Sequence, residues 1–158
     1  MPFDDAMNVM LPPQNGTHAH ITVSGSPPTP NVYGQVRQSG VHGGVDFNYV
    51  GGQGSPLNQS QPVVYSPVNG QVLPNTANGE ALGMVRIRGE DGHVHEILHL
   101  HSRSVDVGQN VAVGQPIGTM GGRGPNGPTH YQRHVHYQIR NPAGAAVDPQ
   151  LWWVPHVP

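Results

Sequence analysis

Glycine and proline supply 22 and 17 residues of this 158-residue chain, and they limit its fold more tightly than any other feature. Glycine carries the largest backbone entropy penalty in a helix, and proline removes a donor and clashes with the preceding turn. Together they make up about a quarter of the residues, at the edge of the composition expected for disorder. Disorder usually also brings high net charge, and here the formal net charge is only −2, with 10% charged and 35% hydrophobic residues. These figures predict an ordered, turn-rich β domain with a modest core.

Short runs between turn residues predict strands at 18–24, 44–49, 62–65, 70–73, 83–88, 93–100, 110–113, 116–120 and 133–140. The expected class is all-β, mostly antiparallel and sheet- or sandwich-like. No stretch shows helical periodicity. Residues 1–30 contain Leu11-Pro12-Pro13 and Ser26-Pro27-Pro28-Thr29-Pro30, which predict an irregular, Pro-rich N-terminal extension before a domain at 31–158.

Several functions are excluded or disfavoured. The seven basic residues are all Arg and are scattered, so no basic stripe marks a nucleic-acid surface. Without Lys there is no Schiff-base chemistry, and the turn-strand units 66–72 and 105–118, which resemble biotinyl and lipoyl carriers, cannot carry a cofactor. Without Cys there are no disulfides or thiolate metal sites. No apolar run is long enough for a membrane span, and residues 1–11 show no export signal.

The chemistry therefore falls to 11 His. His42-Gly43-Gly44-Val45-Asp46 holds a His and an Asp that would stand roughly 13 Å apart if extended, too far to share an ion unless the glycines bend the chain. His-x-His occurs as His18/His20, His93/His95, His99/His101 and His134/His136. On a strand such a pair projects from one face, but four pairs cannot all hold one tetrahedral ion. Alternation predicts that 93–101 lines one face with imidazoles, His99 among them. It also puts His134, His136, Gln138 and Arg140 together, opposite Val135, Tyr137 and Ile139.

In their order, these elements resemble the lysostaphin/LytM family of zinc metallopeptidases, which cut peptidoglycan cross-bridges. The likeness runs from about Tyr33 to about Trp152. It is carried by His42–Asp46, then 66–72, then His99-Leu100 with 105–118, and finally His134-Val135-His136. The resemblance implies an open substrate groove and a Zn²⁺ ion held by His42, Asp46 and His136, with His99 and His134 acting in catalysis. It implies peptidoglycan stem or cross-bridge peptides as substrate and action outside the cytoplasm. Delivery would then be by a secretion machine or a phage, unless the chain is trimmed, and a delivered effector would need an immunity protein. The chain departs from the family pattern at Ile97, where a Tyr is common, and at Gln138, where a Glu is common. It also departs in a longer stretch from Gly121 to His134, and in Tyr33–Arg37, which matches an aromatic-Gly-x-Arg element only loosely.

Two other readings compete: a LytM-like domain that only binds or regulates, and a His-rich module taking several metal ions. His93, His95, His101 and His130 are expected to line the cleft or to be solvated. His18, His20 and His156 lie outside the matched region, and Trp152-Trp153 is expected to close a core edge.

Overall fold

The computed structural model describes residues 2–25, 27–37, 40–49 and 56–155. Its elements are, in order, α1 (Pro2–Met10), β1 (Ala19–Ile21), β2 (Val23–Ser24), β3 (Thr29–Pro30), β4 (Val36–Arg37), β5 (Gly40–Val41), β6 (Val45–Tyr49), α2 (Pro56–Gln59) and β7 (Val63–Tyr65). There follow β8 (Gly70–Leu73), β9 (Val85–Gly89), β10 (Val94–Leu98), β11 (Leu100–Arg103), β12 (Asn110–Val111), β13 (Pro116–Met120), β14 (Val135–Arg140), β15 (Ala146–Val147) and α3 (Pro149–Trp152). The chain is mostly β and antiparallel, as its Gly and Pro content requires.

The main sheet has eight strands, in the order β1-β6-β14-β10-β9-β8-β12, with β15 also on β14. A second sheet, β11-β13-β7, packs nearby, and β2-β3 and β4-β5 are two-stranded ribbons. Alternation decides which face of the main sheet is dry. Val45, Phe47 and Tyr49 of β6, Ile87 of β9, Ile97 of β10, and Val135, Tyr137 and Ile139 of β14 are all fully buried in one core. Ile117 and Met120 of β13, Val64 of β7 and Leu100 of β11 complete it from the second sheet.

The irregular extension expected for residues 1–30 is corrected here. Pro2 opens a helix, where its missing N–H costs nothing, and Asp4 and Asp5 lie in the first turn, where the helix dipole favours negative charge. Phe3, Ala6, Met7 and Met10 form one buried stripe. Pro12 then restricts Leu11 and ends the helix. Phe3 lies 6.2 Å from both Phe47 and Tyr137, edge-on to the first and stacked on the second. Burial of each of Phe3, Met7 and Met10 contributes about 1.5–3 kcal/mol. Downstream, β1 pairs with β6 through Ala19↔Tyr49 and Ile21↔Phe47, so α1 joins the core and β1 the main sheet, while β2 and β3 form an exposed ribbon of their own. Nine residues are too few for the stripe to stand out in the sequence, and the neighbouring prolines mask it.

Trp153 is buried and donates from Nε1 to the Tyr137 hydroxyl at 3.0 Å, closing the core edge as expected.

Candidate metal centre

The polar face of β6, β14 and β10 builds the site. His136 is the Cα partner of Asp46 on one side and of Leu98 on the other, so the three share a face. His42 follows β5 and reaches the same point because the chain turns through Gly43-Gly44. Gly44 is needed for a close approach. A Cβ there would collide with the Tyr137 carbonyl oxygen and stand 2.9 Å from His136 Nε2.

His42 Nε2 lies 3.3 Å from Asp46 Oδ1, His136 Nδ1 lies 2.8 Å from the same oxygen, and the two nitrogens are 3.2 Å apart. Ligands bound tetrahedrally at zinc's distances stand about 3.3 Å from one another. The donor triangle has that size, so two imidazoles and a carboxylate fit such an ion and leave the fourth corner open. His42, Asp46 and His136 could therefore hold a metal ion.

Four rings surround this point, and their outer nitrogens fix where each carries a proton. His42 Nδ1 donates to the Val32 carbonyl (3.0 Å), His99 Nδ1 to Arg123 (2.7 Å) and His134 Nδ1 to Gln132 (2.7 Å). A carbonyl can only accept, so each of these rings holds its proton on Nδ1. His42 thereby turns a bare Nε2 to the donor triangle, and the outer nitrogens of His99 and His134 are likewise committed. His136 is turned the other way. Its Nε2 faces Gln138 Oε1 at 2.8 Å and its Nδ1 faces Asp46.

His99 arrives by a route that strand alternation does not provide. The imidazole face expected along 93–101 does not form, because odd positions of β10 point into the core. His95 is fully buried, with Nδ1 2.6 Å from the Tyr137 hydroxyl, and Ile97 sits in the same layer. His99 instead falls between β10 and β11 with φ 68, in the left-handed region. Such a residue costs of order 1–3 kcal/mol and persists only where its surroundings over-determine it. Here its N–H donates to the Leu82 carbonyl (2.8 Å), the next N–H donates to Gly83 (3.1 Å), and its ring is tied to Arg123. Gly83 has no room for a side chain, since a Cβ would collide with the Leu100 carbonyl oxygen. The kink sets the His99 ring 4.9 Å from that of His134 and 5.7 Å from that of His136.

Electrostatics follow from this crowding. Burial pushes the Asp46 carboxyl up, but the close imidazoles of His136, His42 and His134 outweigh it and hold the group far below the usual carboxylate range. Burial, aided by the neighbouring rings of His134 and His136, pulls His99 down to about 3. Burial also lowers His134. Both rings are neutral at pH 7 and able to accept a proton.

The site opens into a cleft of about 710 Å³. Thr22, Ser24, Thr29 and Asn31 form one wall, and Tyr131 and Gln132 form another. Asn31 braces the first wall by donating to Thr22 Oγ1 (2.7 Å) and Ser24 Oγ (3.0 Å). Tyr131, from the long stretch before His134, places its ring 4.8 Å from that of His99. Among the other imidazoles, His93 pairs with Asp91 away from the cleft, and His18, His20, His101 and His130 are exposed. His156 lies outside the described residues. Sequence reasoning missed Glu96. It is buried on the site face and takes hydrogen bonds from Gln138, Arg86 and Arg140. Its even position on β10, opposite Gln138, was the available signal.

Comparison with known proteins gives a family and a set of similar folds. The family model described as Peptidase family M23 matches residues 40–149. Among solved structures, the chain is similar to the antimicrobial peptidase lysostaphin from Staphylococcus simulans, at 23% identity and a TM-score of 0.61, over 85% of this chain and 50% of that one. It thus spans half the length of that lysostaphin chain. It is also similar to a zinc-containing peptidase from Vibrio cholerae, at 20% identity and a TM-score of 0.58, over 87% of this chain and 37% of that one. A third is the catalytic domain of the prophage-encoded M23 protein EnpA from Enterococcus faecalis, in a mutant form. It gives 22% identity and a TM-score of 0.56, over 82% of this chain and 89% of that one. No curated protein matches.

Proposed function

The chain belongs to peptidase family M23, and from that premise we propose that it is a zinc-dependent endopeptidase that hydrolyses peptide cross-links of bacterial peptidoglycan. One observation carries the proposal: Asp46 and His136 face each other 2.8 Å apart, with the bare Nε2 of His42 completing a donor triangle of zinc's dimensions at the floor of an open cleft. In this reading His42, Asp46 and His136 hold the metal, and His99 and His134 act on protons.

When bound, zinc supplies the Lewis acidity that makes water nucleophilic near neutral pH and polarises a carbonyl. The chain's own groups do the remainder. Asp46, ionised and shared among three imidazoles, supplies the negative charge that a divalent cation needs in a buried site. His99 and His134 are neutral, so either can take the proton that water loses on attack. The same ring can return it to the leaving amine nitrogen, so that one water and one peptide bond give a carboxylate and an amine. The cleft walls would hold an extended peptide across the site.

Action outside the cytoplasm follows from such a substrate. Delivery by a secretion machine or a phage, and an immunity protein in a producing cell, remain part of this proposal.

The test is mass spectrometry of fragments from purified peptidoglycan, using zinc-loaded protein, chelator-treated protein and the His134→Ala variant. New cross-link fragments from the zinc-loaded protein alone are expected, and they would name the scissile bond. No cleavage of either Gram-negative or Gram-positive wall would favour a domain that only binds. Uptake of several ions per chain would favour a metal-binding module.

A further inference from the structure

We propose that Glu96, acting through the side-chain amide of Gln138, sets which nitrogen of His136 carries the proton and so turns the Nδ1 lone pair toward the metal centre. This rests on the metal-binding reading above and deepens it. Three of the four rings are anchored on backbone carbonyls, which can only accept. His136 alone is anchored on an amide, Gln138, which could present either its oxygen or its NH₂. With the oxygen inward, Nε2 must carry a proton, and any proton that Nδ1 shares with Asp46 in the metal-free protein is the one a metal ion displaces, which leaves the ring neutral and Nδ1 the donor. With the NH₂ inward, Nε2 must be bare and the proton moves to Nδ1, removing the metal donor.

Glu96 decides between these states. Its carboxylate can only accept, and its Oε1 lies 2.6 Å from Gln138 Nε2. The NH₂ of Gln138 is therefore committed to Glu96, and the oxygen is left for His136. Glu96 cannot easily turn away. Arg140 Nε donates to its Oε1 at 2.9 Å and Arg86 Nε to its Oε2 at 2.8 Å, and only 1% of the residue is exposed. The register fixes the line of contact, since Glu96 is the Cα partner of both Gln138 on β14 and Arg86 on β9. Glu96 is thus a positioning residue.

The experiment follows the ¹⁵N resonance of His136 Nε2 in the metal-free protein and, separately, zinc affinity by chelator competition. It compares wild type, Glu96→Gln, Gln138→Met and the double exchange Glu96→Gln/Gln138→Glu. Wild type should show a protonated Nε2. Glu96→Gln and Gln138→Met should each lose part of that signal and bind zinc about 10–100-fold more weakly. The double exchange puts a pure acceptor on the ring and should restore both readouts, although Arg86 and Arg140 still lack their carboxylate at position 96. A role limited to anchoring those arginines would not be rescued from position 138. An unprotonated Nε2 in wild type, unchanged readouts in both single variants, or no recovery in a folded double exchange would overturn the proposal. Wild type that takes up no zinc, yet shows the Nε2 signal and its loss in Glu96→Gln, would sink the metal reading while upholding control of the ring by Glu96.

Discussion

Asp46 and His136 are Cα partners across β6 and β14, and their side chains meet with Oδ1 2.8 Å from Nδ1. Ninety positions apart in the chain, they are placed by the same antiparallel register that buries Phe47 against Val135. The site therefore shares its geometry with the core, and changes in either are felt in both.

Asp46→Asn should reduce zinc uptake sharply and bring peptide hydrolysis down to the level of chelator-treated wild type. The amide keeps the size of the side chain but removes the charge on which three imidazoles converge. Equilibrium dialysis with zinc, run beside the cleavage assay, checks this.

His99→Ala and His134→Ala should behave differently from His42→Ala. The first two remove proton acceptors outside the donor triangle, so kcat should fall by about 10²–10⁴-fold with zinc still bound. His42→Ala should lose the metal itself. Metal content measured on each purified variant separates the two outcomes.

Gly83→Ala should act on catalysis from a distance. Its φ of +64 and the Leu100 carbonyl, with which any Cβ would collide, mean that the backbone must move, and His99 hangs on that segment. A stability loss of more than about 1 kcal/mol is expected, with kcat reduced and zinc affinity close to wild type. Urea unfolding and steady-state kinetics test it. Unchanged kcat would show that His99 does not depend on this contact.

Phe3→Ala should cost about 3–5 kcal/mol, because the ring is buried between Phe47 and Tyr137. Removing residues 2–11 should prevent folding. A dispensable extension would tolerate both changes, and thermal melting distinguishes these outcomes.

Acid should act partly through Glu96. Burial raises its carboxyl, but hydrogen bonds from Gln138, Arg86 and Arg140 outweigh that and hold it below its ordinary value of 4.5. A depressed folded-state value gives stability that is full above pH 4.5 and is lost as pH falls through the folded value. Metal-free wild type should therefore lose stability over this acid range more steeply than Glu96→Gln. Denaturation midpoints at pH 7 and at successive steps below pH 4.5 would show it, and parallel curves would contradict it.

Much of the fold was legible because strand signals are local. The runs at 44–49, 70–73, 116–120 and 133–140 correspond closely to β6, β8, β13 and β14. The His134/His136 face was legible too, because alternation along an unbroken strand is a two-residue rule. It failed for His99, where one left-handed residue between β10 and β11 reverses the order of faces. It misled for His95, whose polar ring is buried because the Tyr137 hydroxyl, on another strand, satisfies one of its nitrogens.

From the sequence alone came the class of fold, through the conformational limits of Gly and Pro, and the short list of residues able to bind a metal. The same order of motifs pointed to the family. Tertiary structure decided which imidazoles converge, which nitrogen each turns inward, and that α1 and β1 help to build the core while Thr22, Ser24 and Thr29 line one wall of the cleft. Those outcomes depend on cross-strand register, on the Val32 and Arg123 carbonyls that accept from His42 and His99, on the cross-strand Glu96 that holds the Gln138 amide, and on burial shared among several elements. None of these is encoded within any one stretch of chain, because each is a distance between stretches that only folding brings together.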